Sequence, residues 1–565
     1  MIKIKFNLEN IGLILFFALL LFIGPGTLFD RKITHDFPHG YFASDAFQHQ
    51  VRAEAIKDAG NFRYEASYIS KGFDKVVGRY PPMLYHLAVI FSYLAGAETY
   101  DSIYLIAALF PIIAVLVMYL IIRDFNRNVA LMSLPLSILI FAFPIISAFT
   151  WGHWPSLLSQ FFLVVFFWCI AKIALDKAYV LISIFMAAIV MTHTSEAVFA
   201  VLFLGLFFGI KVISKSFKIK ELVNIISAVF ISFIVAFYYL TIFKGTLAKA
   251  ETYSFIVEPL WQGNPGFYIA GFGVFLIFII VGVIFSVFKI KDMHSSFVLA
   301  FAMLAGGFLN YIGFGLRSFQ LRFYWPIYLS IFFGFGLYIL LKLIIKKWNV
   351  AYSIAILLIF TIIFSGFVNI PLTEKKINLL GQEAMLIPHY SSINSQNSQG
   401  IMDPYHWAAL KWLSKKTEPN SKVYFFYGDI YSQDALLRNS KRIHYQIDPD
   451  DFIKTLNERK VKRAYVSELP GDSGGSLAVR TAAISFADIS KTKSDEYFFG
   501  PQDICRFDYL VFDKISRQQV LSQYNLLIAS ELLEKDYIQQ VFDNDVVIIL
   551  KNNKPGGDCV AERTF

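Results

Sequence analysis

Cysteine is nearly absent, with three residues in 565. That excludes a small disulfide-stapled scaffold, and no Cys/His spacing of the zinc-binding kind occurs. Cys169 lies in an apolar run and reads as inert, whereas Cys505 and Cys559 fall near the C-terminus and are candidates to pair in an oxidising compartment. Charge is scarce as well, at 16% of residues, and is almost missing from the apolar runs that fill the chain up to residue 370. An Asp, Glu, Lys or Arg costs about 2.5–3.5 kcal/mol at the centre of an inserted helix, so these gaps suit bilayer crossing. They also argue against a proton- or sodium-coupled transporter, which needs ionisable groups or broken helices near the midplane. No glycine-rich nucleotide loop stands in the C-terminal third.

What is abundant is hydrophobicity: 56% of residues and a mean hydropathy of +0.54. It is unevenly spread. Residues 1–370 hold nearly all the long apolar runs, 371–402 read as a linker, and 403–565 look like an ordinary soluble domain. The fold class expected is a polytopic α-helical membrane domain followed by an α/β domain. Candidate spans of roughly 17–25 residues fall at 9–29, 101–122, 128–148, 155–171, 178–192, 196–213, 222–243, 266–288, 295–315, 322–341 and 350–370, about eleven in all.

The net charge of +9 calls for no nucleic acid, because much of it sets topology. Lys3, Lys5, Arg123, Arg127, Lys172, Lys177, Lys211 to Lys220, Lys289, Lys291 and Lys342 to Lys347 fall in one alternating set of loops. Basic loops face the cytoplasm. The first span reads as an uncleaved signal-anchor with a cytoplasmic N-terminus, and the other loops and the C-terminal domain as extracytoplasmic. The alternation requires that Pro81–Ala97 not cross, so it is read as a re-entrant or interfacial helix within a long first outer loop, 30–100.

Ionisable residues gather at the outer mouths. In the first loop, Asp45 and His49 stand one turn apart if 45–59 is helical, and Gly60 suits the helix end. Asp45 then either caps free N–H groups or serves as a general base, with His49 tuning it or sharing a metal. Arg79 and Tyr80 precede Pro81-Pro82 and are either interfacial anchors or site residues. His153 sits between two tryptophans of Phe149-Thr-Trp-Gly-His-Trp-Pro155 that are expected as an aromatic belt, and is a candidate phosphate donor or metal ligand. In Met191-Thr-His-Thr-Ser-Glu196, His193 and Glu196 share a depth, though Thr192 or Thr194 with Glu196 also reads as a helix cap. Arg317 and Arg322 run against the charge bias, which suggests either headgroup anchoring or a forked grip on a substrate phosphate. Their coincidence at one depth is the signal.

The Asp45/His49 opening, the Tyr80-Pro-Pro82 helix start, Arg322-Phe-Tyr-Trp-Pro326 and the helix Trp407-Ala-Ala-Leu-Lys-Trp-Leu413 together resemble the GT-C superfamily of lipid-sugar-dependent glycosyltransferases. Among these the pattern is most similar to archaeal and bacterial relatives of the oligosaccharyltransferase catalytic subunit. The resemblance implies a transferase that moves a sugar from a polyprenyl-phosphate or -pyrophosphate donor to an extracytoplasmic glycan or protein acceptor. Asp45 would be its carboxylate and Arg322 its outer arginine near the donor, while on physical grounds Arg317 adds charge for the departing phosphate; a divalent cation, Mg or Mn, would be held by Asp45, His49 and His153. The chain departs from that pattern in two ways: its second outer loop offers His153 and no carboxylate, and Phe425-Phe-Tyr-Gly-Asp-Ile-Tyr431 stands where a Trp-Trp-Asp acceptor motif would be.

Two other classes stay open: a transporter or flippase of lipid-linked solutes, and a non-catalytic membrane scaffold. Gly471-Asp-Ser-Gly-Gly475 matches a serine-protease signature but lies in a polar loop of a domain alternating helix and strand, the wrong setting for that chemistry. Helices are expected there at 403–416, 432–439, 449–459 and 515–534. Strands are expected at Lys422–Tyr427, Arg442–Gln446, Lys462–Ser467, Tyr509–Phe512 and the hairpin Ile538–Phe542 with Val546–Lys551.

Overall fold

The computed structural model describes residues 7–60, 81–142, 145–172, 178–247, 271–289, 294–307, 323–368, 371–379, 381–390, 400–426, 430–431, 434–445, 464–465, 484–485, 507–515 and 532–556, with helical positions at 522, 525–526 and 529–530. Cys505, Cys559 and the Gly471–Gly475 motif lie outside these residues, as does the helix expected at 449–459.

Long apolar runs bounded by capping residues form helices. The N-terminal ones are α1 (Leu8–Ile23), α2 (Ser44–Ala59), α3 (Met83–Ala95), α4 (Thr99–Phe125) and α5 (Arg127–Ser133). After them come α6 (Trp154–Ala171), α7 (Ala178–Thr192), α8 (Thr194–Ile213) and α9 (Ile219–Leu247). The bundle closes with α10 (Leu276–Val287), α11 (Ser295–Gly307), α12 (Ser330–Ile344) and α13 (Val350–Ser365). Caps fix several ends: Asn7 accepts the Asn10 N–H at 2.9 Å to start α1, and Asn349 accepts the Tyr352 N–H at 3.1 Å to start α13.

The span expected at 128–148 is not one helix. After α5 the chain tightens into a 3-10 stretch, Leu134–Phe141, and turns before a short helix at Ser147–Thr150. Pro135 gives the reason, since it has no N–H to donate and its ring crowds the preceding turn. Helix α12 covers the break closely: a Cβ on Gly334 would fall 2.2 Å from Ser133 Oγ, so that contact needs hydrogen there.

Among the described residues, five helical stretches are long and apolar enough to cross a membrane by length and composition: Leu8–Leu28, Thr99–Phe125, Trp154–Ala171, Glu196–Ile213 and Ile219–Phe237. Shorter apolar helices accompany them, and large apolar side chains such as Ile14, Leu15, Phe230 and Phe233 are exposed on the bundle's outside. The chain is a multi-pass membrane protein.

Charged loops collect at two ends of the bundle. At one, Glu9 accepts from Tyr119 OH at 2.5 Å and Arg123 Nε at 3.1 Å and pairs with Arg127. Lys172 meets Asp124 at 2.6 Å, Lys211 meets Glu221 at 2.5 Å, and Ser353 Oγ donates to Asn128 at 3.0 Å. These segments all belong to the basic loop set. At the other end Phe42 N–H donates to Thr150 O at 2.9 Å, and Ser156 Oγ to Glu196 at 2.6 Å.

Helix α3 lies parallel to α2: His49 meets Tyr85 at 2.8 Å near their starts, and Lys57 Nζ donates to Ser92 Oγ at 3.0 Å near their ends. Asp45, Arg52, Glu54, Lys57 and Asp58 make α2 too polar for hydrocarbon, so α3 shares the layer of a polar helix despite its apolar sequence.

Past α13, the segment expected as a linker carries a hairpin, β1 (Lys376–Leu379) with β2 (Gln382–Met385). The C-terminal domain contains α14 (Pro404–Lys416), β3 (Lys422–Phe425), α15 (Asp434–Leu437), β4 (Ile443–Tyr445), β5 (Tyr509–Asp513), β6 (Ile538–Asp543) and β7 (Val547–Asn552). Its five-stranded sheet runs β4-β3-β5-β7-β6, parallel across β4, β3 and β5 and antiparallel beyond. His406 pins α14 to it. Burial would lower this imidazole's pKa, but Asp513 at 2.6 Å and Asp403 at 2.5 Å outweigh burial and push it up to about 10.

Candidate functional site

The start of α2 lies at the bundle end that faces the C-terminal domain. Ala43 is extended and offers no side-chain cap, and Asp45 occupies the first helical turn, where a carboxylate is favoured by the helix dipole. Its side chain is exposed. At the far end the chain leaves the helix through Gly60 at φ +63, the left-handed C-cap its sequence suggests.

His49, one turn after Asp45, points into the protein and is 4% exposed. Two donors converge on its Nδ1: Tyr85 OH at 2.8 Å and Arg52 Nη1 at 3.4 Å. Arg52 can only donate, so Nδ1 is the acceptor and the proton resides on Nε2. Burial, then the charges of Arg52, His153 and His193, push the His49 pKa well below the ordinary imidazole value. His49 is therefore a neutral ring at physiological pH.

The second loop reaches the same place through Gly152. Its φ is +87, and a Cβ there would fall 2.2 Å from Ala46 N and 2.7 Å from the Asp45 carbonyl carbon. Only glycine tolerates both that backbone and that approach. The contact sets His153 beside the first turn of α2, half-buried, with its ring centroid 5.3 Å from Phe323. Trp154 was expected in an interfacial belt. Instead it is fully buried, donates from Nε1 to Phe149 O at 2.6 Å, and has its ring centroid 4.9 Å from Tyr41, 5.5 Å from Tyr104 and 6.3 Å from His49. An indole N–H with an internal acceptor has no need of the water interface.

His193 and Glu196 do pair, with Nδ1 and Oε2 2.5 Å apart. Glu196 is fully buried and takes the Ser156 hydroxyl at 2.6 Å, so it ties the start of α8 to α6. The alternative of a cap through Thr192 is not what forms, since that hydroxyl donates to Ala188 O at 2.6 Å.

Arg79, Tyr80, Arg317 and Arg322 lie outside the described residues. The residue after Arg322, Phe323, is the one packed on His153. Sequence reasoning did not single out Tyr85, Arg52 or Gly152 for the site. Arg52 carried a usable signal, three residues after His49 on the same helical face; Tyr85 and Gly152 carried none, because both act across long sequence separations.

Among the described residues, no three His, Cys, Asp or Glu side chains converge as a metal-binding group. Asp45, His49 and His153 do not form such a group.

These features define a membrane protein with a cluster of histidines beside an exposed carboxylate and an α/β domain at its C-terminal end. The chain is similar to the oligosaccharyltransferase of Archaeoglobus fulgidus in its apo form, 12% identical over 92% of this chain and 73% of that one, with a TM-score of 0.48. It is also similar to ArnT from Cupriavidus metallidurans bound to undecaprenyl phosphate, 11% identical over 95% of this chain and 97% of that one, with a TM-score of 0.49. No protein-family profile matches the sequence, and no curated protein does.

Proposed function

We propose that the chain is an extracytoplasmic-facing membrane glycosyltransferase that moves a sugar from a polyprenyl-phosphate or -pyrophosphate donor to a hydroxyl or amide acceptor. The observation that carries this reading is the Gly152 contact, which supports a site built from the first two outer loops around Asp45. Topology follows the segregation of basic loops to the opposite end, which supports a cytoplasmic N-terminus and an extracytoplasmic C-terminal domain.

In the proposed reaction the acceptor heteroatom attacks the anomeric carbon while the bond from that carbon to the lipid phosphate oxygen breaks. The acceptor proton passes to Asp45, the electron pair leaves on the phosphate, and the centre inverts. His49 stays neutral and contributes an Nε2 donor; His153, Arg317 and Arg322 stabilise the departing phosphate. Arg79 and Tyr80 are assigned supporting roles in the same reaction. Membrane lipid surrounds the site on the bundle side.

Asp45→Asn is expected to lower transfer by purified protein by about 100- to 10,000-fold, the range of a lost general base. Transfer at the wild-type rate would remove Asp45 from this role. Mass spectrometry of copurified lipid should find a polyprenyl-phosphate sugar, and a preparation holding only bulk phospholipid would speak against the donor class.

A further inference from the structure

The C-terminal domain touches the last turns of the Asp45 helix, and the segment leading into the domain touches the chain just ahead of that helix. Ahead of the helix, Ile401 N–H donates to Tyr41 O at 2.8 Å, and Gly400 lies so close that a Cβ would sit 2.6 Å from that oxygen. Trp407 of α14 packs edge-on against Tyr100, ring centroids 5.5 Å apart, and the Tyr41 hydroxyl donates to Tyr100 O at 2.7 Å. At the helix's last turns, Lys441 Nζ donates to Glu54 Oε1 at 2.9 Å and bonds the Asp58 carboxylate, while the Thr99 hydroxyl takes the other oxygen of Glu54.

Lys441 is shaped for this contact. Its φ is +54, a left-handed conformation uncommon outside glycine and asparagine, and its N–H closes the turn onto Arg438 O at 3.0 Å. Burial alone would raise the Glu54 pKa, yet Lys441 and Thr99 hold it below the usual carboxylate value. Burial would lower the Lys441 pKa, yet Glu54 and Asp58 hold it above the usual ammonium value. Each partner thus favours the charged form of the other, and the pair is only partly open to water.

Asp45 and Glu54 share one rigid helix, nine residues or roughly 13 Å apart at 1.5 Å per residue. A grip at the Glu54 end therefore fixes where Asp45 sits. We infer that the C-terminal domain is a brace that sets the reach of Asp45, with Lys441 as its positioning residue. The inference rests on the proposed role of Asp45 and adds a task for the domain that neither binding of donor nor reading of acceptor requires.

The test compares Lys441→Asn, Lys441→Arg and wild type as full-length protein in detergent. Asn accepts the left-handed backbone and removes the ammonium, whereas Arg keeps the charge. Hydrogen exchange across residues 44–59 is read by mass spectrometry, and kcat and KM are measured with a polyprenyl-phosphate sugar. Lys441→Asn should speed exchange in 44–59 and lower kcat about tenfold with KM for the lipid unchanged, and Lys441→Arg should restore most of both.

Unchanged exchange in 44–59 would overturn the brace whatever the activity. Faster exchange with unchanged kcat would overturn the positioning role. Exchange is read without turnover, so a failure of the transferase reading itself, seen as full activity in Asp45→Asn, stays separate from a failure of the brace.

Discussion

The two ends of the helical bundle handle charge in opposite ways. At the basic end Glu9 is buried between a tyrosine and two arginines, and Lys172–Asp124 and Lys211–Glu221 join neighbouring loops. These are opposite charges matched at short range, and they hold loops in place. At the other end a neutral histidine takes the Tyr85 hydroxyl and the buried Arg52 on one nitrogen, a buried glutamate takes the Ser156 hydroxyl, and the Asp45 side chain is exposed. A site that must exchange a proton with a substrate needs its base within reach, with the surrounding charges held still. The basic end meets the requirement of a fastener; at the other end Lys441 with Glu54 and Asp58 fastens a helix as well, and the exposed Asp45 suits the base proposed above.

Three substitutions sharpen that contrast. The largest effect is expected from Gly152→Ala. The new methyl would strike the backbone at Asp45 and Ala46 at a positive φ, and pushing α2 away by about 1 Å should lower transfer by about 100-fold. Activity assays on folded, monodisperse protein decide it, and a wild-type rate would break the proposed link between the two loops. Tyr85→Phe comes next. It takes the hydroxyl from Nδ1 of a fully buried ring, which should cost about 1–3 kcal/mol in thermal unfolding and reduce kcat about tenfold. His49 should add no step of its own to the rate–pH profile near the ordinary imidazole value, because it is already neutral there. Glu9→Gln has the smallest effect on chemistry. It should lower stability by about 1–3 kcal/mol, since a buried acid is removed from two half-exposed arginines, and leave the rate per folded molecule unchanged. A slower chemical step would mean that the two ends are coupled.

Much of this organisation was legible beforehand. The basic loops around 123–127, 172 and 211–220 lie at one end with Glu9, the α2 limits followed from its composition and Gly60, and the strands at 422, 443, 509, 538 and 547 came from alternation and turn residues. The interruption after α5 was signalled by Pro135 but lost in an unbroken apolar run, because hydropathy does not register a missing N–H. Trp154 was misplaced for a related reason: position beside a proline and a histidine suggests an interface, while the acceptor that lets it bury, Phe149 O, is a backbone atom that any sequence would provide. The hairpin at 376–385 was passed over because four-residue strands leave little pattern.

The sequence alone determined that the chain crosses a membrane repeatedly, which loops carry the basic residues, and that Asp45 begins a helix near several histidines. Those properties depend on hydrophobic length, charge bias and local propensity, which act within a few turns of chain. The tertiary structure decided that His49 turns inward onto Tyr85, that Gly152 brings the second loop against Asp45, and that Lys441 grips Glu54 from nearly four hundred residues away. Close approach between distant segments depends on which backbones pack, and no local pattern of residue types encodes that.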